Sequence, residues 1–367
     1  MKVQQSLWPD FRNARLVSLA RLAMLSGGLA LSVAAHAADN VGLKGADITP
    51  LCGTKPMTIA LLDGYGGDTW RKTAYAEFQD EAARCKNVTK ILYANANGDR
   101  QKANSDINAL VAQGVNIIVA FNDFGESMLP AFRSAVKAGV VVVPYFSQIS
   151  GTPGKDFSQQ LSIDTAYQGR IWADWAGTNI KKGNLVFLGG VPGASSSQGF
   201  LDGLKSGLKK YPDIKLLVQN FIVTNWNPAD AQKAVAGLIA KYGQIDLIGS
   251  DYGATTNAAI KAFDQAGLPV PAQFTGGSNN ELSCKFINSK RAWKYLSLDG
   301  STSLSRFALR RGVSIYQGTP NSEPTSVALY VFADSERKLD PKCDPALPPD
   351  ADLSSSLSDE QLKKAFR

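Results

Sequence analysis

From Thr58 onward, short apolar runs alternate with stretches in which apolar residues recur every three or four positions. The apolar runs predict strands at Thr58–Leu62, Lys90–Tyr93, Asn116–Ala120 and the valine run Val140–Val143. Further runs fall at Leu161–Ile163, Leu185–Leu188, Lys215–Val218, Ile245–Ile248, Gln273–Thr275, Tyr295–Leu298 and Val327–Val331. Between them the helical period predicts helices over Trp70–Cys85, Asp99–Gln113, Glu126–Ala138, Ala166–Ile180 and Ser196–Tyr211. Others follow from Asn227, up to Ala266, briefly after Thr275, and over Ser303–Tyr316. In the second of these, Ala103, Ile107, Leu110 and Val111 fall on one face at i, i+4, i+7 and i+8. Asn227-Pro228 reads as a helix cap followed by proline at the first helical position. Wholly apolar strands, each followed by a helix, imply parallel sheets covered on both faces. Roughly five strands fall in each half of the chain, with a Gly/Ser/Pro/Gln-rich surface loop at Ser147–Gln159 between the halves. An uninterrupted eight-unit barrel does not fit that break. The predicted fold is α/β, with two doubly wound, Rossmann-like parallel-sheet lobes.

The two ends of the chain read differently. Lys2, Arg12, Arg15 and Arg21 precede an uncharged apolar stretch, Leu22–Ala35, too short to span a membrane, and Ala35-His36-Ala37 matches a signal-peptidase site. Residues 1–37 are therefore expected to be a signal peptide cleaved after Ala37; an uncleaved anchor is the alternative. Past Asp334 the tail carries Pro341, Pro345, Pro348, Pro349 and the Ser354–Ser356 run, and is expected to be extended or disordered apart from a last helical turn.

These ends change what the composition means. The 367 residues carry a net charge of +7, but the leader accounts for +3 of it, leaving +4 on 330 residues. Basicity then says little, and no Lys/Arg stripe interleaved with aromatics marks a nucleic-acid surface. The only histidine, His36, leaves with the leader, which excludes histidine-based triads and the usual zinc sites, and no other metal or cofactor is expected. Cys52, Cys85, Cys284 and Cys343 form an even set without a C-x-x-C spacing, which in an exported chain points to disulfides. Of three pairings, Cys52–Cys85 with Cys284–Cys343 keeps each pair within one half of the chain. Free buried thiols are the alternative.

In open α/β sheets, ligands bind beyond the carboxyl ends of the strands. The residues there are Asp63-Gly64-Tyr65-Gly66-Gly67-Asp68-Thr69-Trp70-Arg71, Phe121-Asn122-Asp123 and Tyr145-Phe146-Ser147 in the first half. In the second they are Gly193-Ala194-Ser195 with Gln198 and Phe200, then Asn225-Trp226, Asp251-Tyr252, Ser278-Asn279 and Asp299. Aromatic faces for C–H patches and Asp/Asn groups for paired hydroxyls suit a neutral polyhydroxyl ligand. Each residue has a structural alternative: Trp70 and Trp226 as core, Asp68 and Asp251 as helix caps, Arg71 as an exposed helix residue. The nucleotide motifs fail. Gly64–Thr69 lacks the last glycine of a dinucleotide loop, and Gly189–Gly193 lacks the Lys-Ser/Thr of a phosphate loop.

Thr58–Leu62 with Asp68–Arg71, Ala112–Val119, Gly193–Ser195 with Gly199-Phe200, and Ser250–Ala254 together resemble the type I periplasmic binding proteins, in particular the ribose-binding-protein-like sugar receptors of ABC transporters. The resemblance covers about Met57 to Val331. It implies a non-enzymatic, monomeric periplasmic receptor for a small sugar or polyol, with an inner-membrane ABC permease as partner. It further implies two lobes, residues 50–160 with 299–325 and 161–298 with 326–340, joined by a three-strand hinge, and a tail from 341. Matched position by position, the family's first asparagine and stacking aromatic fall at Asp68 and Trp70, and its second aromatic at Arg71. The residue after the third strand is Phe121 or Asn122. The family's Asp-Arg pair falls at Phe146-Ser147, and its second-lobe arginine near Phe200. Trp226 matches the second-lobe aromatic, Asp251 an asparagine and Ser278 an aspartate. A glutamine near the last crossing falls at Leu298, beside Asp299. The stacking floor is kept and the Asp-Arg clamp is lost, so the resemblance implies a ligand other than ribose. Two other classes stay open: a glycoside hydrolase built on Asp68 and Asp251, and a sensor presenting its closed form to a membrane signalling protein, its ligand sugar-like or an aromatic molecule such as a nucleoside.

Overall fold

The computed structural model describes residues 45–366, so the leader and its cleavage site lie outside the described residues. In chain order the first half contains β1 (Met57–Asp63), α1 (Thr69–Ala82), β2 (Val88–Asn95), α2 (Arg100–Ala112), β3 (Ile117–Phe121), α3 (Leu129–Lys137), β4 (Val141–Phe146) and β5 (Leu161–Ile163). Next come α4 (Thr165–Asn179), β6 (Gly183–Gly189), α5 (Ser195–Leu208), β7 (Ile214–Leu216), β8 (Ile222–Val223), α6 (Pro228–Tyr242), β9 (Leu247–Ser250) and α7 (Gly253–Gln265). The chain closes with β10 (Ala272–Gly276), α8 (Asn280–Asn288), β11 (Tyr295–Asp299), α9 (Leu304–Gln317), β12 (Ser326–Val327), β13 (Tyr330–Asp334) and α10 (Asp359–Ala365).

Two sheets result, as the strand–helix alternation predicts. The first runs β12-β5-β4-β3-β1-β2 and is parallel throughout. The second runs β13-β11-β10-β9-β6-β7, with β8 also paired to β6, and only its β11–β13 pair is antiparallel. In the first sheet β2 lies on one side of β1 and β3 on the other; in the second β7 and β8 lie on one side of β6 and β9 on the other. That leaves a crevice at the carboxyl ends of β1 and β3 in one sheet and of β6 and β9 in the other. The central strands are buried on both faces; Ile59–Leu62 and Ile117–Ala120 are fully enclosed, which is why their sequences show no alternation.

The chain passes between the sheets three times: after β5, after β11 and after β12. The run Val327–Val331, read from sequence as one strand, is in fact two. Ser326–Val327 extends the first sheet beside β5, and Tyr330–Asp334 pairs antiparallel with β11 in the second. A continuous apolar run looks the same whether one sheet or two receives it. Likewise Lys215–Val218 shortens to β7, and the helix read from Glu126 begins as a 3₁₀ turn, Gly125–Met128, before α3. The Ser147–Gln159 stretch is irregular, as expected. It is not wholly superficial, because Phe157 is buried in the first sheet's outer core and Asp156 accepts from Arg133 Nε at 2.7 Å.

The disulfides are Cys52–Cys85 and Cys284–Cys343, with Cα separations of 5.4 and 4.8 Å. The tail departs furthest from its sequence reading. Leu347, Ala351, Leu353, Leu357 and Leu362 all pack into one core with Phe286, Tyr295 and Phe332. Its prolines prevent regular structure over residues 341–357 but not burial, and α10 opens with a capping box of Ser358 and Gln361. Leu362 is only 2% exposed, so Leu362→Ala is expected to lower the unfolding free energy by about 2–3 kcal/mol in urea titrations. An unchanged midpoint would mean that the tail is not part of the folded unit.

Candidate functional site

The two switch points face each other across one cavity. Its lining is Tyr65, Asp68, Trp70, Arg71, Phe121, Phe146 and Ser301 on the first-sheet side, and Ser196, Phe200, Trp226, Asp251, Tyr252 and Gly277 on the second. Its volume is about 620 Å³ with the mouth included, within the roughly 300–1,000 Å³ usual for small-molecule sites.

The loop after β1 builds the first wall. Gly67 sits at φ +113°, a conformation that favours glycine, and turns the chain into α1. Asp68 caps that helix by accepting from the Arg71 backbone N–H at 2.8 Å. The first turn of α1 then carries Trp70 and Arg71 into the cavity. Trp70 Nε1 donates to Ser301 Oγ at 3.0 Å, and its ring meets Phe121 and Phe146 edge-on at 5.6 and 5.5 Å. Phe121 and Phe146 stack at 4.7 Å.

Arg71 is buried, not exposed. Nη1 donates to Asp63 Oδ1 at 2.9 Å, Nη2 donates to Asp123 Oδ1 at 2.7 Å, and the guanidinium lies 3.5 Å from the Phe121 ring centre. Burial opposes its charge, but Asp123, Asp63 and Asp68 outweigh that and hold it protonated. The opposite wall is organised by Asp251, which accepts from Ser197 Oγ at 2.5 Å and from Trp226 Nε1 at 3.2 Å. Burial pushes the Asp251 carboxyl up to about 6, with the Ser197 and Trp226 bonds pulling the other way. A Cβ at Gly190 would come within 2.1 Å of the Trp226 ring, so that indole requires glycine beneath it.

Two of the cavity's aromatics hold left-handed backbone conformations, Phe146 at φ +88° and Trp226 at φ +51°. For bulky side chains this is strained, and such strain collects at functional sites. One strained aromatic comes from each side.

The sequence-derived candidates divide accordingly. Asp68, Trp70, Arg71, Phe146, Phe200, Trp226 and Asp251 share the cavity. Asn122, Ser278 and Asp299 are not among its lining residues. Asn122 accepts from Ser147 N at 3.2 Å and donates to Ser147 O, bracing the ends of β3 and β4 that carry Phe121 and Phe146. Asp299 is fully buried and accepts from Ser278 N and Oγ at 2.6 and 2.8 Å, closing a network at the second crossing. Phe121, the alternative to Asn122 after the third strand, is the one of that pair that lines the cavity, while Tyr65 and Tyr252 stood among the residues after strands without being chosen. Ser196, Gly277 and Ser301 carry no sequence signal of their own. Among the described residues no cluster of His, Cys, Asp or Glu could hold a metal, and no helix is long and apolar enough to cross a membrane.

Comparison with known proteins agrees with this architecture. The periplasmic binding protein domain family matches residues 59–297. The chain belongs to that family. A xylitol-binding protein of Mycolicibacterium smegmatis is 28% identical over 202 residues, covering 53% of this chain and 55% of that protein. A D-xylose-binding periplasmic protein of Escherichia coli is 26% identical over 191 residues, 51% of this chain and 57% of that one. The match thus spans a little over half the length of these curated relatives. In fold, the myo-inositol-binding protein of Caulobacter, solved with myo-inositol, superposes with a TM-score of 0.67 at 21% identity, covering 78% of this chain and 97% of that one. An ABC-transporter periplasmic solute-binding protein of Actinobacillus succinogenes, with bound D-allose, gives 0.64 at 20% identity over 77% and 99%.

The Asp251 environment sets a pH dependence. A carboxyl that titrates higher folded than unfolded binds its proton more tightly in the folded state. The resulting stabilisation is complete below the unfolded value near 4 and is lost as pH rises through about 6. The melting temperature of the ligand-free protein is therefore expected to fall between pH 4 and 6.5 more steeply in wild type than in Asp251→Asn. Parallel melting curves for the two proteins would show that Asp251 is solvated like an ordinary carboxylate.

Proposed function

We propose that this protein is a periplasmic solute receptor that captures a small neutral sugar or polyol between two lobes and delivers it to an ABC permease. The observation that carries the reading is the cavity itself. Both switch points empty into it, and each side contributes a strained aromatic, Phe146 and Trp226. Aromatic faces take the C–H surfaces of a sugar ring or chain, and Asp251 and Asp68 offer carboxylate oxygens to its hydroxyls. Arg71 is already occupied by Asp63 and Asp123, so no free cation in the lining awaits an acidic ligand. The named relatives, one a xylitol-binding and one a D-xylose-binding protein, support the same ligand class. The lobes would be residues 50–163 with 300–327 and residues 164–299 with 328–340, closing about the three crossings when the ligand favours the closed state. Export with cleavage after Ala37 would place the chain in the periplasm as a monomer. We read the site as binding without turnover: Asp68 and Asp251 are each fixed by hydrogen bonds from their own lobe, the arrangement of acceptors for hydroxyls.

One observation favours a second reading. Seven of the lining residues are aromatic, which also suits an aromatic ligand such as a nucleoside. A thermal-shift screen of ligand-stripped mature protein separates the two. A ligand at a hundred times its dissociation constant adds about 2.7 kcal/mol. Xylitol, D-xylose or another neutral polyol is expected to raise the melting temperature by several degrees, and Trp226→Ala to weaken that ligand's affinity more than tenfold without unfolding the protein. A shift with nucleosides alone would replace the ligand class, and unchanged affinity in Trp226→Ala would remove the aromatic wall from the site.

A further inference from the structure

The C-terminal segment crosses the region where the chain passes between the sheets. At its start the Cys284–Cys343 disulfide ties it to α8, beside the second sheet. Asn280 then holds it closely: Nδ2 donates to Asp344 O at 2.7 Å and the backbone N–H donates to Ala351 O at 2.9 Å. Glu281 N donates to Pro349 O at 2.6 Å. A few residues later the partners belong to the other side. Ser356 donates to Glu77 of α1 through its N–H at 2.9 Å and its hydroxyl at 2.6 Å. Gln361 Nε2 donates to Asp80 Oδ1 at 2.6 Å, and Leu362 shares a core that Ala76 of α1 packs against.

Between these anchors the segment grips the second crossing. Ser354 Oγ accepts from Gly300 N at 3.0 Å, and Asp352 Oδ2 accepts from Thr302 Oγ1 at 3.1 Å. Gly300 stands at φ +97°, the bend where β11 leaves the second sheet. Ser301, between the two gripped residues, receives the Trp70 indole N–H in the cavity wall. Tyr330 OH of β13 donates to Ser354 O at 3.1 Å, so both sides meet at this residue. Asp352 and Ser354 are buried although they lie in a segment rich in proline and serine.

We propose that residues 343–362 form a strap joining the two lobes alongside the three crossings, and that Asp352 and Ser354 are positioning residues that set the Gly300–Ser303 bend and, through Ser301, the Trp70 wall of the cleft. This rests on the reading that the lobes open and close about that bend. A tie anchored on both lobes limits how far they separate. It raises the fraction of ligand-free molecules near the closed form, and apparent affinity rises with that fraction. Loosening the bend therefore lowers affinity without touching a group that contacts ligand.

The test uses full mature protein with both disulfides intact and spin labels at Lys72→Cys on α1 and Lys233→Cys on α6, both exposed. Electron–electron resonance reads the inter-lobe distance without ligand. Wild type is expected to give one narrow distribution. Ser354→Ala and Asp352→Ala are expected to broaden it towards longer distances, and Asp352→Asn, which keeps an acceptor for Thr302, to restore it. Gln361→Ala, at a partly exposed anchor, is expected to give a smaller shift of the same sign and serves if the buried variants fold poorly. The same variants should weaken xylitol or D-xylose binding at least threefold. Unchanged distances in Ser354→Ala and Gln361→Ala would overturn the strap. So would a change in Asp352→Ala that Asp352→Asn does not recover. Lengthened distances in a protein that binds no sugar would keep the strap and reject the receptor reading. Unchanged distances with sugar bound would do the reverse.

Discussion

The first wall of the cleft depends on one buried guanidinium. Arg71 joins Asp63 at the end of β1 to Asp123 just past β3, the two strands that flank the first sheet's switch point. The same carboxylates reach further: Asp63 accepts from Tyr93 OH at 2.8 Å, and Asp123 accepts from Gly64 N at 2.8 Å. The loop that turns into α1, the end of β2 and the end of β3 are thereby fixed by a single cluster. Breaking a buried pair from one side leaves an uncompensated charge, typically about 3–5 kcal/mol. A hydrophobic pair could match the stability, but it would not fix directions as hydrogen bonds do. With Arg71 held, its guanidinium sits over the Phe121 ring, Phe146 stacks on Phe121, and Trp70 stands edge-on to both.

The strain in the cleft makes sense against that fixed floor. A phenylalanine at φ +88° relaxes unless its surroundings forbid it. Here Asn122 bonds to Ser147 on both sides of its amide, clamping the residue after Phe146 to the residue after Phe121. Trp226 is clamped in another way. Its indole N–H is held by Asp251, its ring lies over Gly190, and Asn227 caps the helix that begins one residue later. In both cases a hydrogen-bonded polar residue holds an aromatic in a conformation it would not choose, and the aromatic reaches the cavity.

This explains which parts of the site were legible in the sequence. The strand–helix rhythm, the switch points and the stretch of residues after each strand all follow from hydrophobic period, and they located the cavity. Within those stretches Asn122, Ser278 and Asp299 look like ligand groups, since a short polar residue after a strand has the same appearance whether it faces solvent, ligand or a neighbouring loop. Only the fold shows that Asn122 is paired with Ser147, and that Ser278, together with Ser297, is paired with Asp299. Arg71 was ambiguous for a related reason. Its two partners lie 8 residues before it and 52 after it, and no local pattern records the second. The tail was misread because proline and serine content reports on regular structure, whereas its burial depends on apolar residues at irregular spacing, Leu347, Ala351, Leu353, Leu357 and Leu362.

The electrostatics of the cleft narrow the ligand beyond what its shape does. Arg71 is the only cation in the lining, and two carboxylates outside the lining already neutralise it. Asp68 and Asp251 remain as acceptors within an otherwise largely aromatic wall. A carboxylated ligand entering there would lose its hydration and meet like charge, with no donor pair to compensate. A neutral polyol meets the opposite situation. Its hydroxyls donate to carboxylates that burial already disfavours as bare ions, and its C–H faces cover aromatic rings that water solvates poorly. Burial that pushes Asp251 up to about 6 is thus relieved by hydroxyl donors. The same desolvation that costs the empty site stability favours a neutral, hydroxyl-bearing guest over an acidic one of the same size.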